Sequence, residues 1–323
     1  MAMNTEPLSK LQLLRSEVPP PRKTRFTLQE LRDHDFPPPR WAVPDLLPEG
    51  LTILAGPPKS GKSYLALQIA GAVASGGNVL ERKPVAGCVL YLALEDSGAR
   101  VKERIRQQQW LTANADGFEL VLEWPTVKQG GFEQLSTELE RGTYRLVVLD
   151  TLGKLLAGSG RDLDKYGDMT DTVGALQTLA LKTNTAVLAI HHHRKLKSGN
   201  LVEDGLGSIG INAAADAIAG LYRKGTHWQL QIVGRDLEEL TIALERDPVT
   251  RTWQRAADEY GIRPGTWQAR ILEVLKAGSA RHKTLKSALQ IDGSLLSRML
   301  GELVEKGAVI QRRGGLYEVN THN

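Results

Sequence analysis

Residues 51–70 read Leu51-Thr52-Ile53-Leu54-Ala55-Gly56-Pro57-Pro58-Lys59-Ser60-Gly61-Lys62-Ser63-Tyr64-Leu65-Ala66-Leu67-Gln68-Ile69-Ala70. The stretch opens with an apolar run of strand length. The residues that follow, Gly56 to Ser63, fit G-x-x-x-x-G-K-[ST], and from Ser63 onward the apolar spacing and alanine content are those of a buried helix. Strand, loop and helix are the context that this pattern needs. Backbone N–H groups of the loop can curl around a phosphate chain, and Lys62 can reach the β- and γ-phosphates. Ser63 can ligate Mg²⁺, while the helix N-terminus adds a field that favours anions. Gly56, Pro57, Pro58, Lys59, Ser60, Gly61, Lys62 and Ser63 are therefore the candidate nucleotide-binding residues, with ATP and Mg²⁺ as the expected cofactors.

Downstream, apolar runs at Cys88–Leu94, Leu146–Leu149 and Ala186–Ile190 read as further strands, separated by helical patterns over 99–109, 131–141 and 171–182. Such alternation predicts an α/β fold with a mostly parallel sheet flanked by helices. Runs at 217–222, 228–233 and 240–245 are expected to extend that sheet as antiparallel strands.

Carboxylates end two of the runs. Asp150, after Leu146-Val-Val-Leu149, is placed to hold Mg²⁺ with Ser63. Glu95, after Leu90-Tyr-Leu-Ala-Leu94, is the candidate general base, because the ends of parallel strands converge on the phosphate crevice. His191-His192-His193 ends the fourth run. Successive strand side chains alternate faces, so three do not converge on one ion, and a polar sensor at the γ-phosphate is the better reading. Arg194, Lys195 and Lys197 follow in a loop with little apolar anchoring, which is either a solvated connection or a nucleic-acid contact. Arg235, in Gly234-Arg235-Asp236, is either a surface residue or a cation closing on the γ-phosphate of an adjacent subunit.

These elements lie in a chain of 323 residues, 41% hydrophobic and 24% charged, a composition that excludes general disorder, a collagen-like repeat and a disulfide scaffold. The one cysteine, Cys88, excludes an internal disulfide and reads as a buried small hydrophobe in a reducing cytoplasm. No apolar run is long enough for a bilayer span and the first residues lack a secretory h-region, so a soluble, cytoplasmic protein is expected. Residues 1–40, with Pro19–Pro21 and Pro37–Pro39, read as an extended arm that either packs on a neighbouring subunit or forms a flexible leader.

After Pro248 the pattern breaks, and residues 255–264 read as a linker between an ATPase domain over 41–254 and a small domain over 265–323. The small domain shows three helical patterns, 266–276, 283–289 and 295–306, the last preceded by Asp292 as an N-cap. Two short runs around Gly314-Gly315 then form a hairpin, an order that looks like a winged helix. Ser294, Ser297 and Arg298 on its third helix, and Arg312 and Arg313 in the wing, are candidate DNA contacts, with protein interaction as the other use. From Arg270 onward nine Lys or Arg face five acids, an excess equal to the net charge of +4 of the whole chain. The basic excess thus belongs to this segment.

The order of these motifs from about Trp41 to Asp247 resembles the RecA-like ATPases of plasmid and phage replication, specifically the RepA-type hexameric replicative helicases and their AAA relatives. On that resemblance, Gly56–Ser63 match Walker A, Glu95 the catalytic glutamate and Asp150 the Walker B aspartate. His192 looks like the sensor in His-His-x-x-Lys, Arg104 like an arginine near the nucleotide, and Arg235 like a trans-acting finger. Gly207-Ser208 and Ala214-Ala215-Asp216 resemble elements that follow the DNA-facing loop. The resemblance implies a homo-oligomeric ring, hexameric in the family, with ATP at subunit interfaces, translocating on single-stranded DNA, with duplex DNA as a further partner of the C-terminal domain. The appended domain departs from a minimal helicase and leaves room for a helicase loader or recombination mediator. A regulatory DNA-binding switch set by nucleotide is the alternative outside that class.

Overall fold

The computed structural model describes residues 25–36, 38–110, 115–142, 144–157, 165–192, 214–224, 227–257, 262 and 266–320. The chain divides into two compact units, 1–254 and 255–323.

In the first unit, nine strands among the described residues form one sheet, ordered β11-β10-β9-β8-β3-β7-β6-β4-β5. β3 (Gly50–Gly56), β4 (Cys88–Ala93), β5 (Phe118–Val121), β6 (Tyr144–Asp150), β7 (Ala186–His192) and β8 (Ala217–Lys224) run parallel. β9 (His227–Gly234) and β10 (Leu237–Arg246) continue antiparallel, and β11 (Trp253–Arg255) lies at the edge. The expectation that the segment at 217–222 is antiparallel is therefore corrected: β8 pairs parallel with β3 through Thr52–Ala217 to Ala55–Gly220. The reversal comes one strand later, because the short 225–226 link between β8 and β9 permits only a hairpin.

Alternation along the central strands feeds two cores. Leu146 and Val148 of β6 face the layer formed by α2 (Lys62–Ser75) and α3 (Gly98–Gln107), together with Tyr91, Leu65 and Ile105. Val147 and Leu149 face the other layer, α4 (Gly131–Arg141), α5 (Leu152–Leu155) and α6 (Lys165–Lys182), together with Leu135, Leu152 and Leu176. All four β6 residues are fully buried, each such side chain contributing about 1.5–3 kcal/mol. Burial on both faces explains why these strands read as unbroken apolar runs.

Residues 1–40 were expected to be extended, but their described part contains α1 (Leu28–Asp33), with none of its residues buried. A local cause suffices: the Thr27 side chain accepts from Glu30 N–H while Glu30 accepts from Thr27 N–H, a capping box. β1 (Trp41–Val43) and β2 (Leu47–Pro48) then pair as a short hairpin.

Trp253 changes the reading of the stretch after Pro248. It is almost fully buried, stacks edge-on against Trp228 at 5.7 Å, and its Nε1 donates to Gly61 O at 3.1 Å. The Gln68 side chain pairs with its backbone N–H and C=O, at 2.7 and 2.9 Å. A sheet-edge residue thus clamps the loop that begins α2. Trp253→Phe is expected to lower unfolding stability by about 1–3 kcal/mol, from lost volume and a lost partner for Gly61 O; chemical denaturation measures it, and an unchanged midpoint and slope contradict the clamp.

The second unit comprises α7 (Trp267–Lys276), β12 (Ala280–Arg281), α8 (His282–Leu289), α9 (Gly293–Glu305), β13 (Val309–Arg312) and β14 (Leu316–Val319). Its strands form an antiparallel sheet ordered β12-β14-β13. Thr266 caps α7, and Asp292 caps α9 by accepting from Ser294 and Leu295 N–H. Gly314 and Gly315, at φ 80° and 71°, make the β13–β14 turn, a conformation glycine adopts without a Cβ clash. Ile262, inside the expected linker, is buried with Ile271, Leu285, Leu296 and Leu303 in this unit's core.

Candidate functional site

The parallel strands deliver their C-terminal ends to one edge of the sheet. Gly56 ends β3 in register with His192 of β7; Asp150 ends β6 in register with Ala93 of β4, and Glu95 follows two residues later. The structure therefore brings the phosphate loop, Asp150, Glu95 and His192 to a common edge.

Within the loop, Gly61 caps α2 at φ 93°. A Cβ there would lie 2.8 Å from Trp253 Cζ2, so both backbone angle and packing demand glycine. The first N–H groups of α2 lack intrahelical acceptors and give an anion its donors. Lys62 is buried and folds back onto its own loop, donating to Gly56 O and Pro57 O, both at 2.8 Å, and to Ser60 Oγ at 3.4 Å. Burial lowers its pKa from 10.5 to about 8, against the opposing pull of Asp150 and Glu95.

That shift has a measurable consequence. Were phosphate oxygens placed beside Lys62, they would favour the ammonium form, so nucleotide binding is expected to raise its pKa and to take up a proton above pH about 8. ATP affinity is expected to be level below pH 8 and to fall above it by up to about tenfold per pH unit. Calorimetry in buffers of different ionisation enthalpy reads the proton uptake, and Lys62→Arg removes it. Equal affinity at pH 7 and 9 contradicts the assignment.

Asp150 is buried, and its Oδ2 accepts from Tyr91 Oη at 2.8 Å. Burial pushes the Asp150 carboxyl above its ordinary value, while the Tyr91 and Ser63 hydrogen bonds pull it down. Tyr91, whose own pKa is raised by burial first and by Asp150 second, stays a donor. Sequence reading placed Tyr91 only as an apolar strand residue; the hydroxyl among aliphatic neighbours opposite an aspartate run was its one signal. The carboxylate and hydroxyl of Asp150 and Ser63 are the hard oxygen donors that Mg²⁺ takes, so the donor set fits the ion.

Glu95 is exposed on the turn after β4. Its Oε1 accepts from Thr151 Oγ1 at 2.9 Å, and its Oε2 lies 3.4 Å from His192 Nε2. Its neighbour Asp96 has a different task, holding Arg104 in an ion pair and Arg100 at 2.6 Å. Arg104 also lies 5.1 Å from the Tyr64 ring centre, and Arg246 lies over the same ring at 4.0 Å. Arg246, whose pKa burial lowers, has no sequence signal because it ends β10, a strand with a largely polar pattern.

Arg235 is not brought to this edge. Gly234 pairs with Ala217, which is level with Thr52 on β3, and Arg235 N–H donates to Asp216 O. Four strand positions separate that level from Gly56, roughly 13 Å at about 3.3 Å per residue, so the side chain faces the opposite sheet edge from its own phosphate loop. Its guanidinium lies 3.7 Å from Asp216 Oδ1, and Asp216 in turn accepts from Leu51 N–H and Gln177 Nε2.

The basic loop residues Arg194, Lys195 and Lys197, together with His193, Gly207 and Ser208, lie outside the described residues. In the second unit Ser294, Ser297, Arg298 and Arg313 are exposed, and Ser297 Oγ lies 3.0 Å from His282 Nε2. Arg312 pairs across its hairpin with Glu318 at 2.6 Å, which commits it locally. Cys88 is buried, and no cluster of metal-ligating side chains occurs among the described residues. Nor, among them, is any helix long and apolar enough to cross a membrane.

The KaiC-like protein PH0186 from the hyperthermophilic archaeon Pyrococcus horikoshii OT3 is similar over 66% of this chain and 93% of its own, at 12% identity and a TM-score of 0.46. That likeness is too distant to carry an argument about activity. A family model described as AAA domain matches residues 18–198, a span that contains the phosphate loop, Glu95, Asp150 and His192. The match covers more than half of the chain, which therefore belongs to the AAA domain family and carries a P-loop ATPase domain.

Proposed function

We propose that the chain assembles into a ring with ATP at its subunit interfaces and uses hydrolysis to translocate on single-stranded DNA as a replicative helicase. The placement of Arg235 carries the assembly part of this reading. Arg235 lies at the end of the sheet away from its own phosphate loop, so a γ-phosphate that it meets is one held by another copy of the chain.

Within each site the roles follow from position. Gly56–Ser63 cradle the phosphates, and Lys62 exchanges its carbonyl partners for β- and γ-oxygens. Ser63 and Asp150 hold Mg²⁺, which when bound neutralises charge on those phosphates. Arg104, anchored by Asp96, flanks the nucleotide. Glu95 takes the proton of the attacking water, and His192, which touches Glu95, senses the γ-phosphate. The chain leaves β7 directly after His192 into the segment with Arg194, Lys195 and Lys197, the proposed single-strand contact. ATP turnover measured with and without single-stranded DNA, beside light scattering with a nonhydrolysable nucleotide, tests the reading. Stimulated turnover and nucleotide-dependent assembly support it; a monomer indifferent to DNA overturns it.

A second reading, a nucleotide-set switch on duplex DNA, is favoured by one observation. The basic excess lies beyond residue 269, where Lys283, Lys286, Arg298 and Arg313 are all exposed on a fold of winged-helix order. Removing residues 265–323 is expected to reduce duplex affinity steeply at low salt; no loss assigns this unit to protein contacts.

A further inference from the structure

We propose that Thr151 is a positioning residue for the Glu95 carboxylate, fixing which of its oxygens receives the proton of water. The proposal rests on the reading of Glu95 as the general base and adds a residue to that site.

Glu95 sits on an exposed turn, where a long side chain is free to rotate unless a partner holds it. Two groups meet it. Thr151 Oγ1 donates to Oε1 at 2.9 Å, and His192 Nε2 stands 3.4 Å from Oε2. Thr151 is the better anchor. It is 2% exposed, against 40% for the His192 side chain, and its β-branched carbon restricts the direction of the hydroxyl.

The strand ladder sets up the contact. Ala93 of β4 pairs with Asp150 of β6, and Leu94 N–H donates to Asp150 O at 2.7 Å, so the turn bearing Glu95 is fastened beside the residue that follows Asp150. The phosphate loop reaches the same place through Ser63 and Asp150. Oε1 of Glu95 is thus fixed by the Thr151 hydroxyl, while Oε2, 3.4 Å from His192 Nε2 on a half-exposed side chain, is the oxygen that water reaches. In the hydrolytic step the water proton passes to Oε2 and the water oxygen bonds the γ-phosphorus. The bridging oxygen leaves on ADP with the electrons of the broken bond. Thr151 keeps its hydrogen bond to Oε1 throughout.

Steady-state hydrolysis and binding of a fluorescent ATP analogue, on the full chain, separate this role from a structural one. Thr151→Val keeps the shape and deletes the hydroxyl; kcat is expected to fall by about tenfold or more, with analogue affinity within about twofold of the parent. Thr151→Ser is expected to restore kcat to within about threefold. In a Glu95→Gln background Thr151→Val adds no further loss. If the valine variant does not fold, Thr151→Ala deletes the same hydroxyl without crowding. A hydroxyl-free variant with parental kcat overturns the proposal, as do equal losses in the valine and serine variants or additivity with Glu95→Gln. Parental turnover by Glu95→Gln overturns the general-base reading and this proposal together. An inactive Glu95→Gln beside a fully active Thr151→Val overturns the proposal alone.

Discussion

Arg235→Ala is expected to lower kcat by about 10³–10⁵-fold, the range an arginine contributes when it neutralises charge on a transferring phosphoryl group from a neighbouring subunit. Binding of ATP to an isolated subunit should be unaffected, because the residue lies at the sheet edge away from its own phosphate loop. Folding should also survive. The guanidinium is largely exposed and 3.7 Å from Asp216, a contact worth little in solvent, while Asp216 keeps Leu51 N–H and Gln177 as donors. Parental turnover at concentrations where the protein assembles would show Arg235 to be an ordinary hairpin residue.

Glu95→Gln is expected to reduce kcat by about 10²–10⁴-fold while leaving ATP binding within about threefold. The amide keeps the length of the side chain and an oxygen to accept from Thr151, but it has no basic carboxylate to take a proton. The substitution also separates Glu95 from Asp96. Asp96 is committed to Arg100 and Arg104, so Asp96→Asn should act through loosened arginines and raise KM more than it lowers kcat. A Glu95→Gln variant with full turnover would move the base elsewhere and leave Glu95 a solvated turn carboxylate.

The central fold was legible because its strands are buried on both faces. Leu146-Val-Val-Leu149 and Leu51-Thr-Ile-Leu-Ala55 are buried, predominantly apolar runs that lead into Asp150 and Gly56. β5 was not legible: all four of its residues are only partly buried at the sheet edge, so neither a continuous run nor a clean alternation marks it. β8 was recognised as a strand, but its direction depends on β3 as a neighbour, which local pattern does not encode. Trp253 was obscured by its polar surroundings, although an isolated tryptophan in such a segment needs a place to be buried.

At the site, the residues with a fixed spacing in one loop were readable as a unit. Glu95, Asp150 and His192 were readable as strand ends, since parallel strands present their C-terminal ends to one edge. What sequence did not reveal is the support beneath them. Tyr91 under Asp150, Thr151 under Glu95 and Trp253 against Gly61 act through contacts between residues 59, 56 and 192 positions apart, respectively. Such pairs have no local signature, because the sheet creates their proximity.

The claim that each nucleotide site is completed by a second subunit is tested most directly by mixing two inactive variants, Lys62→Ala and Arg235→Ala. The first lacks a working phosphate loop but supplies Arg235; the second lacks the arginine but keeps the loop. In a one-to-one mixture that assembles at random, about a quarter of the interfaces combine an intact loop with an intact arginine. Hydrolysis is therefore predicted to return toward that fraction of the parental rate, with neither variant active alone. Mixed assemblies that form by light scattering and remain inactive at every ratio would contradict the account.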